Sequence, residues 1–328
     1  MMALFLRQVH RVIAAVVLTM SLPVTAADAP LKDWQSPHLR EHALVGKIWS
    51  AETRGFISAE DYGKALRAAD IVLLGENHDN ADHHRLQAWA VSQVASAGRE
   101  GALVFEMIGP DEAPALADAL AQGAGAETAA MLGAALRWEE RGWPSWQMYE
   151  PIARAALAAR FSLHPGDAAP ATIREVAKSG FPVLGAHATS LGLDGELDTA
   201  LNAALMDELY DGHCQMLDKS KLGPMANVQR LRDAMLAANV KAARPPDGVA
   251  VLIAGNGHVR KDRGVPSYLA GGEARVLALM HLEVSDGVDD PLALVPKSPD
   301  GAPALDYVIF TPGAERGDPC EVFRKMKK

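Results

Sequence analysis

The sequence predicts an α/β fold, with a mostly parallel sheet flanked by helices and a smaller helical insertion. Three observations carry that expectation. Short apolar runs such as Ile71, Val72, Leu73 and Leu74 have the length and uniform character of strands covered on both faces. Segments with helical spacing separate these runs, and parallel strands need crossovers of that length. Alanine is abundant while aromatic residues make up only 5%, a balance that suits helix-rich α/β packing better than a sandwich or barrel.

With 328 residues, 49% of them hydrophobic, the chain has material for a sizeable core, as one large domain with an insertion or as two small ones. The formal net charge of −9 offers no basic surface, so nucleic acid is not an expected partner. Residues 1–26 read as a signal peptide: Arg7 and Arg11 supply the positive region, "VIAAVVLTMSL" the apolar region and "PVTAA" the small-residue cleavage site. The apolar run before Pro23 falls short of the roughly 20 residues that span a bilayer. An exported, soluble periplasmic protein is the expectation. Only Cys214 and Cys320 are present, and an oxidising compartment permits one disulfide between them without requiring it. No CxxCH run occurs, which excludes covalent c-type haem attachment.

Taken in order, residues 27–69 form an N-terminal extension that reads as a short hairpin or loop feeding a helix. The main α/β domain is expected over 70–328. Its first strand ends near Gly75, and a helix capped by Asp79 or Asn80 follows. "GALVFEMIG" is the second strand, and residues 111–135 have the look of an inserted helical hairpin broken at "AQGAGAE". The whole first insertion spans about 110–160. "FPVLGAHATS" reads as a third strand. A second helical insertion, about 198–243, stops at the breaker "RPPDG". "VAVLIAGNGHVR" is the fourth strand, "ARVLALMHLEV" and "ALDYVIFT" the fifth and sixth.

Ligands in open parallel sheets bind beyond the carboxyl ends of the strands. Four expected strand ends carry chemistry: Glu76 with His78, Glu106, His187 and His258. Taken singly, each is as readily a hydrogen-bonded structural histidine or a capping carboxylate, yet four strand ends together point to a shared crevice. Neutral imidazoles with carboxylates suit a divalent metal that keeps a water position open, although HExxH is absent. His83 and His84 lie on diverging helix faces, so one faces the site while the other is packed or solvated. His213, beside Cys214, is either a ligand or an ordinary helix boundary. "GNGHVR" lacks the third glycine of a dinucleotide fingerprint, and neither G-x-S-x-G nor a P-loop is present.

"LLGENHDNADHHRLQ", "LVFEMI", "GWPSWQMYEP", "QRLRDAMLAANV" and "GNGHVRKDRGVP" together resemble the ChaN-like family, haem-binding uptake proteins of the Tiki superfamily. The resemblance runs from about residue 71 to about 279. It maps the superfamily's glycine-x-x-histidine onto Gly75 to His78, its strand-end glutamate onto Glu106, and its late glycine-histidine onto Gly257 and His258. What it implies is an α/β fold with a smaller helical part and a role in haem binding or iron acquisition at the bacterial envelope. A homodimer and envelope haem-transport components are the partners such a role allows. Some ChaN-like proteins are lipoproteins, and this sequence lacks the acceptor cysteine.

Two chemistries follow. In the first, haem is the cofactor and its iron is held by a tyrosinate or an imidazole. Tyr149 is the favoured ligand, with Trp143 and Trp146 as a flat aromatic wall, His83 as a haem-binding candidate on the first helix and Tyr210 as a second tyrosine. Arg232, which shares a helix edge with Gln229 and Asp233, is placed to meet a haem propionate. In the second, Glu76, His78, Glu106 and His258 hold a divalent metal whose bound water attacks a carbonyl, with Glu76 as candidate general base, as in the hydrolase and peptidase branches of the superfamily.

Overall fold

The computed structural model describes residues 28–318, 320 and 321. The expected signal peptide lies outside them. Eight strands form one sheet: β1 (Ile48–Ser50), β2 (Gly55–Ile57), β3 (Ile71–Glu76), β4 (Gly101–Phe105), β5 (Ser162–Pro165), β6 (Val249–Gly255), β7 (Val276–Glu283) and β8 (Tyr307–Thr311). Their order across the sheet is β2-β1-β8-β7-β3-β6-β4-β5. The six strands from β8 to β5 run parallel, and the N-terminal hairpin adds β1 and β2 antiparallel at one edge.

The helices are α1 (Ala59–Ala68), α2 (Ala81–Ala95), α3 (Ala113–Leu120), α4 (Ala126–Ala135), α5 (Trp146–Ala158), α6 (Pro170–Ser179), α7 (Ala186–Ser190), α8 (Thr199–Gly212), α9 (Gly223–Ala243), α10 (Val265–Leu269) and α11 (Pro291–Leu294). Among the described residues no helix is long and apolar enough to cross a membrane.

Side chains alternate across each strand, and here both faces are buried. Val72 and Leu74 of β3 join Val251 and Ile253 of β6 in a core shared with α1, α2, α4 and α5. Ile71 and Leu73 join Ala250 and Leu252 in a second core under α9 and α10. Uninterrupted apolar runs are therefore required of the central strands. Polar residues enter only where a strand reaches the carboxyl edge.

Two expectations need correction. "FPVLGAHATS" is not a strand: Phe181–Leu184 form a 3-10 turn and His187 lies exposed on α7. Pro182 cannot donate to a ladder, and Gly180 and Gly185 adopt φ of 72° and 55°, which breaks an extended chain on both sides. The strand at this place in the order is instead β5, only four residues long and ending in Pro165, a residue tolerated because β5 is an edge strand. The first strand also outruns its expected stop, since Gly75 stays in register and Glu76 pairs with Gly255. A Cβ on Gly75 would sit 2.5 Å from Asn256 Oδ1 and 3.1 Å from the Leu279 carbonyl, so glycine is needed for close approach and not for chain reversal.

Candidate functional site at the carboxyl edge

The carboxyl ends of β3, β4 and β6 deliver Glu76, Glu106 and the turn containing His258 to one place. Glu76 continues the Val72 and Leu74 face, which turns it toward α2 and α5. There Oε1 accepts hydrogen bonds from Tyr149 Oη at 2.8 Å and from His78 Nδ1 at 2.7 Å. Oε2 lies 3.2 Å from His84 Nδ1 but without hydrogen-bond alignment, and it is a buried oxygen with no hydrogen-bond partner. Burial alone would raise the Glu76 carboxyl; the neighbouring His84 and His78 outweigh it and hold the group well below the usual carboxylate range.

Glu106 is the second centre. Its Oε2 accepts from the Gly255 N–H at 2.6 Å and its Oε1 from Arg232 Nη2 at 2.8 Å. His258 Nε2 stands 3.4 Å from Oε1 and His78 Nε2 3.9 Å from it. Behind His258, Nδ1 donates to Asp233 at 2.6 Å. Burial opposes charge on His258, but Glu106 and Asp233 prevail and raise it to about 10. Burial likewise works against Glu106, whose carboxyl His258, Arg232 and His78 keep well below its ordinary value. Asp233 moves the other way, pushed up by burial against the pull of His258.

The result is two carboxylate–imidazole pairs, Glu76–His78 and Asp233–His258, facing a shared Glu106. Among the described residues no group of three or more His, Cys, Asp or Glu side chains is arranged to hold a metal ion. The expected ligands instead bond to one another. His78, one-third exposed, presents the most open ring of this set, and Trp143 stands edge-on beside it with ring centres 5.1 Å apart.

Other expected residues separate cleanly. Tyr149 belongs to the site, but its ring is buried between His84 and Trp138 and its hydroxyl is committed to Glu76. Burial and then the Glu76 charge push its phenol far above the ordinary range. Trp143 lies at the rim, whereas Trp146 is a core anchor whose indole donates to the Ala129 carbonyl. Of the adjacent histidines, His84 faces the site; its Nε2 lies 3.0 Å from the His78 carbonyl. His83 faces away, accepting from the Asn77 N–H and donating to Thr311 Oγ1. Arg232 is already paired bidentately with Asp167 and singly with Glu106, so it is not a vacant propionate partner. Tyr210 lies on α8 beneath the Lys219 ammonium, and His213 hydrogen-bonds the Leu209 carbonyl at that helix's end. Asp167 went unrecognised in the sequence, although it follows β5 and the strand-end rule would have found it had "SLHP" been read as a strand.

A family model described as haem-binding uptake, Tiki superfamily, ChaN matches residues 63–269. That span exceeds half the chain and contains every residue of the cluster. The chain belongs to this family. Its fold is similar to that of a structure described as cofacial haem binding to ChaN of Campylobacter jejuni, with 20% identity, a TM-score of 0.61, and coverage of 80% of this chain and 95% of that one. At that identity the similarity to ChaN shows a shared fold alone. A type III effector, HopBA1, matches at 14% identity over 77% of this chain and 92% of its own, and an erythromycin esterase variant, EreC, at 13% over 84% and 99%. Both have a TM-score of 0.43. The comparison with curated proteins gave no match.

Proposed function

We propose that the protein binds haem at the rim of the strand-end cluster, with His78 as the iron ligand, and that it serves haem uptake in the periplasm. The observation that carries this reading is the family match, whose span holds the whole cluster. The donor set fits a haem at the rim and not one in the interior. His78 offers a one-third exposed imidazole, and Trp143 beside it offers an apolar face to a porphyrin. Burial opposes charge on His78, but Glu76 and Glu106 raise it, so ligation through Nε2 would displace a proton to solvent. Tyr149 then acts from behind, fixing Glu76, and is not itself a ligand.

The test is a titration of purified protein with haemin, read by the Soret band. Binding is expected to saturate at a fixed stoichiometry; a spectrum indistinguishable from free haemin at every ratio would overturn the reading. The pairing of Cys214 with Cys320 agrees with an oxidising compartment, which supports the periplasmic assignment.

A further inference from the structure

The two ring nitrogens of His78 have different surroundings. Nδ1 lies 2.7 Å from Glu76 Oε1, and the same oxygen accepts from Tyr149 Oη at 2.8 Å. Nε2 makes no hydrogen bond among the described residues, and Glu106 Oε1 stands 3.9 Å from it. Gly255 passes beside that nitrogen without a side chain: a Cβ there would sit 3.2 Å from Nε2 and 3.7 Å from Glu106 Oε2. One nitrogen is held by a carboxylate, and the other is left without a partner.

This division fixes where the ring carries its proton. A carboxylate only accepts, so the proton facing Glu76 belongs to Nδ1 and the lone pair of the neutral ring to Nε2. Free histidine prefers the reverse, with the proton on Nε2, so the partner on Nδ1 makes the choice. Glu76 can hold it because its side chain is fully buried and Tyr149 pins the accepting oxygen from α5. A carboxylate on the far nitrogen raises the basicity of a ligating imidazole. A stronger donor favours the more positively charged iron, and outer hydrogen bonds of this kind are among the levers that set the potential of a haem. We infer that Glu76 is the positioning residue of the site: it fixes His78 with the proton on Nδ1, leaves Nε2 for iron, and strengthens that donor so that ferric haem is held in preference to ferrous haem. The inference rests on the haem reading above. Tyr149 tempers the effect, because its O–H draws charge from the same oxygen.

The test is a potentiometric titration of the haemin complexes of wild type, Glu76→Gln and Tyr149→Phe, followed by the Soret band. It is paired with nitrogen-15 NMR of His78 in ligand-free protein, at an alkaline pH where the ring is neutral. Glu76→Gln keeps the shape and removes the charge, and is expected to lower the ferric-over-ferrous preference by about 10–100-fold. At about 59 mV per tenfold, the potential then rises by about 60–120 mV. Tyr149→Phe should move the potential the other way, which keeps the inference testable if Glu76→Gln does not fold. In wild type the NMR should find the His78 proton on Nδ1. A potential that stays where it is in wild type, or a proton on Nε2, overturns the inference, while an intact Soret band leaves the haem reading standing. Absence of any Soret complex in wild type overturns the haem reading and this inference with it.

Discussion

His78 turns back onto the residue two before it, with its Nδ1 2.7 Å from Glu76 Oε1 at the end of β3. A buried carboxylate thereby orients the most open ring of the cluster, and Tyr149 completes the arrangement by donating to the same oxygen. The phenol's part is to hold Glu76, which leads directly to a substitution.

Tyr149→Phe keeps the ring in place and removes the donor to a buried carboxylate. The expected cost is about 1.5–3 kcal/mol of stability, the range for a hydrogen bond to a charged group. At saturating haemin the Soret maximum should stay where it is in the wild type. A shifted maximum would return the iron to Tyr149.

Glu106→Ala is expected to be the most damaging change at the site. It leaves Arg232, a charged His258 and the Gly255 N–H without their shared acceptor. Removing one partner of a buried ion pair costs about 3–5 kcal/mol. Chemical denaturation of the variant checks this, and a loss below 1 kcal/mol (order of magnitude) would mean that the pairs are energetically independent.

Buried histidines act on both limbs of the pH profile in ligand-free protein, His258 on the alkaline limb and His281 together with His83, which burial also lowers, on the acid limb. His258 is raised from 6.5 to about 10, so its contribution is complete below pH 6.5 and is lost as pH rises through 10. His281 is lowered by burial from 6.5 to about 4; it stabilises above pH 6.5 and that contribution is lost as pH falls toward 4. Melting temperature should therefore peak near neutrality. His281→Gln should flatten the acid limb alone, by about 3 kcal/mol at most. An acid limb as steep as that of the wild type would contradict the assignment.

The expected export signal lies outside the described residues and has its own check. Intact mass of secreted protein should place the mature N terminus after Ala26 or Ala27, where small residues satisfy the cleavage rule. A chain that begins at residue 1 or 2 would remove the periplasmic proposal.

How legible the fold was depended on how much burial each strand carries. β3, β4, β6, β7 and β8 are buried on both faces, which forces apolar runs that are visible in sequence. β5 is a partly exposed edge strand of four residues, so nothing forces such a run, and "FPVLG" mimicked one in its place. At the site, Glu76, His78, Glu106 and His258 were legible because each ends or directly follows a strand of that apolar kind. Their pairing was not legible. Whether a carboxylate meets a metal or an imidazole depends on which helix faces it, and α2, α5 and α9 supply His84, Tyr149 and Asp233 from far away in sequence. His83 and His84 illustrate the point: neighbours in the chain and both fully buried, they take opposite directions because α2 turns by 100° between them.

His78→Ala, followed by haemin titration and thermal melts, separates an iron ligand from a structural residue. This variant is expected to lose the Soret band of the complex while its melting temperature stays within a few degrees of the wild type, since the ring is partly exposed. Wild-type haem affinity and spectrum retained in His78→Ala would contradict ligation by His78.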